Sequence, residues 1–375
     1  MKKRVMIISL LGMILCVILA FSMCLPAFAD IGTDINSSWA STTPTINGIL
    51  SPGEWTDAKI VNFQFYMRSR ASGALNKTLN AKLYVKNNYT NLYIAVQIFN
   101  DTYWATNGLS RWKSLAVYFN NNDNGTLGQG ENGEEIQTWT GAAFYSHNDM
   151  YYDKAGGLWD SDWNAVKTND GAIAFTHTNP TQGLLGNWTF EMSIPLVGSD
   201  LGYDFNIQKT QLPKTIGYKV WFGDGVTGCD GVYPDDPSIN KNFLEMFNAA
   251  TFGDLIIHPL YYLTIQTTVG GTTSPVPGTY PYGYGTQVIV TAMPNSGYTF
   301  DHWTLDTVNV GVTNPYTVTM DQNHTLEAFF KPIPRPVGGI SVSLVNKTSL
   351  RSLAGYGGIV GIFIVAIAVV RRKRK

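Results

Sequence analysis

The sequence predicts an all-β protein, and three observations support this. Between Trp39 and His258 the chain consists of short runs of alternating apolar residues, bounded by Gly- and Asn-rich turns. No stretch of this region keeps a period of 3.6 residues over the length of an ordinary helix. The region is also rich in Tyr, Trp and Thr, which favour strands, so it is typical of a β-sandwich.

The first 29 residues are typical of a secretory signal. A basic start, "MKKR", leads into an apolar run that ends at Pro26, and Ala27 and Ala29 give the small-x-small pattern of a signal-peptidase site before Asp30. Because the apolar run is long for a signal peptide, an uncleaved N-terminal anchor is the alternative. Both interpretations predict that the chain is exported.

The hairpin "AKLYVKNNYTNLYIAVQIFN" is the clearest strand pair of the predicted sandwich. Apolar residues alternate before and after its Asn87-Asn88 turn. Four further segments complete the pattern, namely "SLAVYF", "NWTFEMSIPL", "IGYKVWFGDG" and "FGDLIIH". Alternation of this kind predicts strands that each turn one apolar face towards a shared core.

Four segments of this region occur in an order that resembles one known family. They are "TPTINGILSPGEWTDA", "NLYIAVQIFND", "FEMSIPL" and "FGDLIIH". The set resembles the family 9 carbohydrate-binding modules and their DOMON-like relatives. The resemblance implies a jelly-roll-type sandwich of two antiparallel sheets that binds sugar, with haem bound in some relatives. It also implies that two Trp rings clamp the end of a glycan, without assigning those rings to positions in this chain.

A second, smaller β-rich unit is predicted from residue 259 to residue 331. It resembles the bacterial repeat domain related to internalin B-repeats, through Gly270-Gly271, Gly278-Thr279-Tyr280, Gly285, Gly297-Tyr298-Thr299-Phe300, Trp303 and "YTVTMDQNHTLEAFF". The resemblance implies a unit without catalysis, and a single copy favours a spacer or a docking unit. Its predicted core consists of Ile265, Val288, Val290, Phe300, Trp303, Val318, Leu326 and Phe329.

The C-terminal segment is typical of a membrane anchor. Residues 353–370 contain 18 residues without a charge, which at about 1.5 Å per residue span about 27 Å. The basic tail "RRKRK" that follows belongs on the cytoplasmic side, so the rest of the chain is predicted to be outside. Before the anchor, "PIPRPVGG" predicts a stiff linker, and this arrangement resembles the C-terminal anchors of archaeal surface proteins.

These elements predict a single-pass plasma-membrane protein with most of its chain outside the cell. The predicted parts are a signal peptide (1–29), the sandwich (30–258), the repeat unit (259–331), the linker (332–352), the transmembrane helix (353–370) and a cytoplasmic tail (371–375).

The exported part is acidic, with 18 basic and 27 acidic residues once the terminal segments are set aside. This balance argues against nucleic acid as a partner. Cys229 is the only cysteine of the exported part, so no intrachain disulfide forms, and we expect its side chain to be buried. Eight sequons are potential glycan acceptors, at Asn36, Asn76, Asn88, Asn100, Asn124, Asn187, Asn323 and Asn346.

The loop "NNNDNGTLGQGE" has the spacing of a calcium loop. Its predicted oxygen ligands are Asn120, Asn122, Asn124, Thr126 through its carbonyl, and Glu131. Only one of these ligands carries a formal charge, which predicts a dissociation constant of about 10⁻⁴–10⁻³ M. Because no helix precedes the loop, it is not an EF-hand. The alternative is an Asn-Gly turn at the tip of a hairpin, which binds no metal.

The predicted ligand contacts are aromatic and acidic residues in segments whose composition is typical of loops. Trp159 and Trp163 alternate with Asp160 and Asp162, and Trp104 lies in "DTYWATNG". Sugar rings stack on exposed indoles while carboxylates bind hydroxyls, so these residues are candidates for holding a polysaccharide or a surface glycan. The alternative is that each Trp packs a core or a loop.

Catalysis has little support in the sequence. There is no HExxH, CxxC-type cluster, GxSxG or phosphate loop, and neighbouring acids in loops are usually solvated. Haem ligation would need a residue such as Met192, which strand alternation places on a sheet face or in the core. The sequence therefore predicts a non-catalytic, surface-anchored glycan-binding protein. The alternative is an adhesive or structural protein that contacts protein partners.

Overall fold

The computed structural model describes residues 34–104, 113–124, 126–127, 132–137, 147–153, 158–161, 170–199, 204–235 and 249–334. The predicted signal peptide and transmembrane segment lie outside these residues. The described residues form strands and turns, with two short 3-10 segments at Lys209–Gln211 and Ala249–Thr251, which confirms the all-β prediction. Within these ranges there is no helix with the length and apolar character needed to cross a bilayer.

Fourteen strands form the first unit, in the region predicted as a sandwich. They are β1 (Ile35–Asn36), β2 (Ser38–Trp39), β3 (Lys59–Ser69), β4 (Leu75–Asn87), β5 (Asn91–Thr102), β6 (Lys113–Asn120), β7 (Asn132–Gln137), β8 (His147–Asp153), β9 (Leu158–Ser161), β10 (Ala172–His177), β11 (Leu185–Pro195), β12 (Lys214–Asp224), β13 (Cys229–Tyr233) and β14 (Gly253–Ile257).

These strands form one hydrogen-bonded sheet that folds into two layers. The strand order is β10-β11-β5-β4-β3-β13-β12-β6-β7-β8-β9, with β14 pairing β12 and β1, and β2 pairing β4. The layers are joined where β13 pairs β3 over two residues only, Cys229 with Ser69 and Asp230 with Arg68. We call β10-β11-β5-β4-β3 the first layer. The second layer consists of β13-β12-β6-β7-β8-β9 together with β14, which pairs β12.

The core lies between the layers and follows the alternation read from the sequence. Phe65 and Phe190 of the first layer approach Phe222 of the second, with ring centroids 5.7 and 6.3 Å apart. Cys229 is buried in this core, as predicted, and so is Met192. The predicted β4–β5 hairpin is confirmed, and its turn is closed by Asn88, whose Oδ1 accepts the backbone N–H of Asn91 at 2.8 Å.

The second unit contains eight strands in two sheets. They are β15 (Tyr261–Thr267), β16 (Gly271–Ser274), β17 (Gly278–Tyr282), β18 (Gln287–Pro294), β19 (Tyr298–Leu305), β20 (Val308–Gly311), β21 (Tyr316–Thr319) and β22 (His324–Pro332). One sheet has the order β17-β15-β22-β19-β20 and the other has β16-β18-β21. The first and last strands, β15 and β22, pair in parallel, from Leu263 opposite His324 to Thr267 opposite Ala328.

The predicted core of the second unit is right except at one residue. Leu326 is buried with Ala328 and Phe330, whereas Phe329 lies between them on the other face of β22. There its ring stacks flat on His302, with centroids 4.6 Å apart and planes 7° apart. Because side chains alternate along a strand, Leu326 and Phe329 cannot both point inwards. Phe330 takes the place predicted for Phe329.

Candidate functional site

Two of the family-like motifs meet at the buried carboxylate of Glu191 on β11. Its Oε2 accepts the backbone N–H groups of Asn47, Gly48 and Ile49 at 2.9, 2.7 and 3.2 Å. Its Oε1 accepts the indole N–H of Trp55 at 2.8 Å. Burial raises the pKa of Glu191, and these four donors oppose that rise. The segment "TPTINGILSPGEWTDA" is thereby fixed on the outer face of the first layer.

Lys86 on β4 holds the end of the same segment. Its fully buried ammonium donates to Asp57 Oδ1 at 2.8 Å, to the carbonyl of Thr42 at 2.7 Å and to the carbonyl of Glu54. Burial acts to raise the pKa of Asp57, but the hydrogen bonds from Lys86 and Ser41 outweigh it and leave that pKa below its usual value. The segment therefore has a structural role.

The outer face of the second layer carries buried polar and aromatic side chains. Inward residues of β6 such as Val117 join the core, whereas Tyr118 belongs to a separate outer cluster with Trp221 and Phe252. We call the outer patch the set Ser114, Tyr118, Glu135, Lys219, Trp221 and Asp230, all of which are buried or nearly so. An outer sheet face that buries this many polar groups is unusual, because such groups are normally left in water.

Hydrogen bonds and charges organise the outer patch. Ser114 donates its hydroxyl to Glu135 Oε1 at 2.5 Å, and the Lys219 ammonium donates to the hydroxyl of Thr251. Burial raises the pKa of Tyr118 well above its usual value, and the charge of Glu135 adds to this rise. Tyr118 therefore stays protonated at neutral pH. The patch thus places carboxylate, ammonium and hydroxyl groups beside aromatic rings.

Asp230 is held at the edge of the outer patch by a bidentate ion pair. Arg70 donates from Nε and Nη2 to the two carboxylate oxygens, both at 2.7 Å. Burial still raises the pKa of Asp230, although the guanidinium opposes this. Planar pairs of this kind fix side-chain orientation, so Arg70 positions Asp230 rigidly.

A second group of charges closes one end of the core. The ammonium of Lys113, which is fully buried, lies 2.7 Å from Asp101 Oδ2 and 2.8 Å from Asp224 Oδ2. Lys77 reaches the same two carboxylates at 2.6 and 3.3 Å. Burial acts to raise the pKa of Asp224, but the attraction of Lys113 outweighs it and lowers that pKa to about 2. The four residues form an internal ion network, separate from the outer patch.

The structure describes only part of the predicted ligand set. Trp159 and Asp160 lie in β9, where the backbone of Trp159 pairs with Tyr152 and that of Asp160 with Tyr151. Asp162 and Trp163 lie outside the described residues. Trp104 follows β5 and is partly exposed, with its ring 3.5 Å from the position a Cβ would take at Gly183. The sugar contacts of these residues stay a prediction.

The predicted calcium loop is also only partly described. Asn120 is buried at the end of β6, whereas Asn122 and Asn124 are exposed. Asn124 Oδ1 already accepts the backbone N–H of Thr126 at 3.0 Å and its hydroxyl at 2.8 Å, so a local turn uses this oxygen. Glu131 lies outside the described residues. No group of three or more His, Cys, Asp or Glu side chains in the described ranges is arranged to hold a metal ion.

His258 joins the two units immediately after β14. Its ring stacks on Tyr284 with centroids 3.8 Å apart and planes 8° apart. Nε2 lies 2.7 Å from Asn36 Oδ1 and Nδ1 lies 3.0 Å from the hydroxyl of Tyr261. Because Asn36 offers only an acceptor at this atom, the ring proton is on Nε2, and Nδ1 accepts from Tyr261. The neutral imidazole thus connects β1 to β15 and to the turn after β17.

We expect this junction to weaken in mild acid. Burial lowers the pKa of His258 to about 4, whereas an exposed His titrates near about 6.5. The opened state therefore binds the proton first, so the stability from neutral His258 is complete above about pH 6.5 and is lost as the pH falls towards about 4. Protease cleavage between the units of the full chain should increase over this window.

His258→Gln provides the control, because it keeps hydrogen-bonding groups but does not titrate. Cleavage of this variant should be independent of pH between about 6.5 and 4. An equal rise in wild type and variant would show that other groups cause the change.

The outer patch was missed at the level of sequence, although a signal for it was present. In "YKVWF" of β12, bulky side chains occupy consecutive positions. A strand with one solvent-exposed face instead alternates apolar and polar side chains. The sequence thus indicated that this strand is buried on both faces, including the side that carries Lys219 and Trp221.

Comparisons with known proteins give results for both units. Two solved structures of a carbohydrate-binding module family 9 (CBM9) from Caldicellulosiruptor kristjanssonii, in complex with cellotriose and with glucose, are similar to the chain at 12% and 13% identity. Each covers 60% of this chain, and the alignments include 94% and 96% of the two modules, both with a TM-score of 0.36. No curated protein matches the chain.

The second unit matches a family model over nearly its whole length. Residues 261–334 match the divergent InlB B-repeat domain, which confirms the resemblance predicted for this part of the sequence. The described part of the chain thus combines a β-sandwich, whose motifs resemble family 9 carbohydrate-binding modules, with a unit similar to divergent InlB B-repeat domains.

Proposed function

We propose that the chain is a non-catalytic surface protein that captures glycan on its sandwich. The observation that carries this proposal is the outer patch, in which Trp221 and Tyr118 lie beside the charged groups of Glu135, Lys219 and Asp230. Aromatic rings beside carboxylate and ammonium groups are the contacts that a sugar ring uses, which supports this face as the place of a ligand. The family-like motifs of the same unit support sugar as that ligand.

The chemistry of the outer patch suits a neutral saccharide. A sugar ring has apolar C–H faces that stack on aromatic rings and an equator of hydroxyls that both donate and accept. Carboxylates and an ammonium supply the matching partners. Trp104, Trp159, Asp160, Asp162 and Trp163 are proposed as further contacts, and β9 belongs to the same layer as the outer patch.

Attachment to the cell surface is part of the same proposal. The apolar segment 353–370 and the basic tail after it support a single-pass anchor with the β-units outside. The repeat unit would then hold the sandwich away from the membrane. The acidic exported part supports a partner without negative charge, such as a neutral polysaccharide.

We expect Glu135→Gln to weaken saccharide binding about tenfold, because a hydrogen bond to a charged group contributes about 1.5–3 kcal/mol. The full chain, solubilised in detergent, would be tested against a panel of neutral polysaccharides by affinity electrophoresis. Lys219→Met should give a loss of similar size. Trp159→Ala tests the predicted contact on β9 in the same assay.

Glu327→Gln is the matched control, since it makes the same exchange on β22 of the other unit. Thermal melting of each variant separates loss of binding from loss of folding. If Glu135→Gln and Lys219→Met both keep wild-type affinity for a saccharide that the chain binds, the outer patch is not its site. If wild type retains no saccharide at all, the proposed function is wrong.

A second candidate function is adhesion to protein partners, and the repeat unit favours it. Several of its apolar side chains are largely exposed, among them Val308 at 64%, Val312 at 69% and Ile289 at 61%. Exposed apolar side chains suit contact with another protein. The two functions differ in one assay, because free saccharide should compete with cell attachment only if glycan capture is the cause.

A further inference from the structure

A cleft lies between the two units at their junction. Its volume is about 570 Å³, which is within the range of ligand pockets, and such pockets occur preferentially where two domains meet. Trp39 and Asp57 line it from the sandwich, whereas Tyr284 and Thr286 line it from the repeat unit. We call this space the junction cleft. It shares no described residue with the outer patch.

Strand register fixes the two aromatic rings of the junction cleft. β2 pairs with β4 so that Trp39 lies opposite Asn87, and the amide of Asn87 donates to the carbonyl of His258 at 3.0 Å. His258 in turn covers one face of the Tyr284 ring. A Cβ at Gly283 would lie 2.7 Å from the Cβ of Trp39, so the turn after β17 packs directly against β2. Contacts within the protein thus hold both rings in place, which lowers the entropy cost of binding a ligand.

The junction cleft suits a neutral ligand. Asp57 is the only charged residue among the described residues that line it. Its Oδ1 accepts from the Lys86 ammonium at 2.8 Å, and its Oδ2 accepts the backbone N–H and the hydroxyl of Ser41 at 2.7 and 2.6 Å. Because Lys86 and Asp57 cancel each other's charge, the cleft attracts neither a cation nor an anion strongly.

The hydroxyl and indole groups of the junction cleft supply both acceptors and donors. The hydroxyls of Ser38 and Ser41 donate to fixed acceptors of the sandwich, so their lone pairs remain to accept. The indole N–H of Trp39 and the hydroxyls of Tyr284 and Thr286 form no hydrogen bond with another described residue, so they remain to donate. A ligand whose groups both donate and accept matches this set.

We propose that the junction cleft binds a neutral saccharide, as a second site besides the outer patch. A sugar ring would stack its C–H face on the indole, while its hydroxyls donate to the serine oxygens and accept from the tyrosine and threonine hydroxyls. A proline-rich peptide also stacks on aromatic rings, but it offers mainly carbonyl acceptors and would leave the serine oxygens unused. The site rests on the proposed glycan capture, whose class of ligand it shares, and a saccharide held by both units would fix their orientation.

Hydrogen exchange of the full chain in detergent tests this site, with cellotriose, laminaritriose and maltotriose as neutral probes. The amides to follow are Gly285 and Thr286, whose N–H groups donate to backbone carbonyls beside the cleft. A trisaccharide that binds only the closed junction, at about ten times its dissociation constant, should slow their exchange about tenfold. In Glu135→Gln the slowing should equal that of wild type, because the outer patch is separate.

Trp39→Ala should abolish the slowing. Because this variant can also loosen the junction, two milder variants accompany it. Tyr284→Phe keeps the ring and Thr286→Val keeps the shape of the side chain, and each should weaken the affinity of the junction cleft for the trisaccharide about fivefold. Tyr262→Phe and Thr317→Val make the same exchanges at exposed positions of the repeat unit outside the cleft, so the slowing should stay as in wild type.

Three results would overturn the junction cleft and leave the proposed function standing. One is a chain that binds a trisaccharide through Glu135 without slower exchange at Gly285 and Thr286. Another is slowing that Tyr284→Phe and Thr286→Val both leave unchanged. The third is slowing by a proline-rich peptide and by none of the trisaccharides, in a chain that retains a polysaccharide at the outer patch. If wild type binds no saccharide at either place, the proposed function fails together with this site.

Discussion

Glu191→Leu is expected to lower the free energy of unfolding of the sandwich by about 4 kcal/mol. Leucine fills a similar volume but accepts no hydrogen bond, so three backbone N–H groups and the indole of Trp55 lose their acceptor. Each buried donor left unsatisfied costs about 1–3 kcal/mol, with part of the sum recovered where water reaches Asn47 and Ile49. Urea denaturation of the full chain measures the loss.

Two variants show whether the donors cause this effect. Glu191→Gln keeps one acceptor oxygen and should therefore cost less than Glu191→Leu. Glu327→Leu makes the same exchange on β22, where the carboxylate has no hydrogen bond to another described residue, and should change stability by less than about 1 kcal/mol. Hydrogen exchange at Gly48 should accelerate in Glu191→Leu. A variant that unfolds like wild type would contradict the assigned role.

Lys113→Met is expected to cost about 3–5 kcal/mol, the usual result of removing one partner from a buried ion network. Among the described residues, Asp101 and Asp224 would then keep Lys77 as their ion-pair partner. The ammonium of Lys77 is partly exposed, with 29% of its side chain accessible, so Lys77→Met should cost less. Both values come from denaturation curves at pH 7.

Acid provides the check on this second prediction. The pKa of Asp224 is lowered to about 2, so its pairing contributes stability above its usual pKa of 3.8 and loses it as the pH falls through about 2. In Lys113→Met the pKa of Asp224 should return most of the way to its usual value. The stability gap between wild type and variant should therefore narrow below pH 3.8. A gap that is constant with pH would mean that Lys113 acts through packing of its methylenes.

The alternation of apolar and polar residues predicted most of the strands and the core of the fold. The period of two in "AKLYVKNNYTNLYIAVQIFN" set the register of β4 and β5, because one face of that hairpin is apolar and a slip of one residue would expose it. Of the eight residues predicted for the core of the repeat unit, six are buried in it and Phe300 packs against them. The prediction was wrong at Phe329, where two adjacent phenylalanines left the inward position ambiguous.

The candidate site was harder to predict, because its residues are distant in sequence. Glu191 and Gly48 are separated by 143 positions, and no local pattern indicates that a strand carboxylate will meet a loop backbone so far away. The loop "NNNDNGTLGQGE" gave a ligand spacing, yet the neighbours of Asn120 on β12 and β14 are set by the pairing of those strands. The spacing of residues within a loop predicts ligands from that loop alone. The register of the sheet determines which residues of other strands lie next to the loop.

The parallel pairing of β15 with β22 has a mechanical consequence. Tension between the sandwich and the C-terminal end of the chain enters the repeat unit at the start of β15 and leaves it at the end of β22. Two parallel neighbours pulled from opposite ends slide lengthwise against each other, so their hydrogen bonds share the force and must rupture together. Antiparallel neighbours pulled from one common end would instead break their hydrogen bonds one after another. The repeat unit is therefore built to stay folded under a steady pull along the chain.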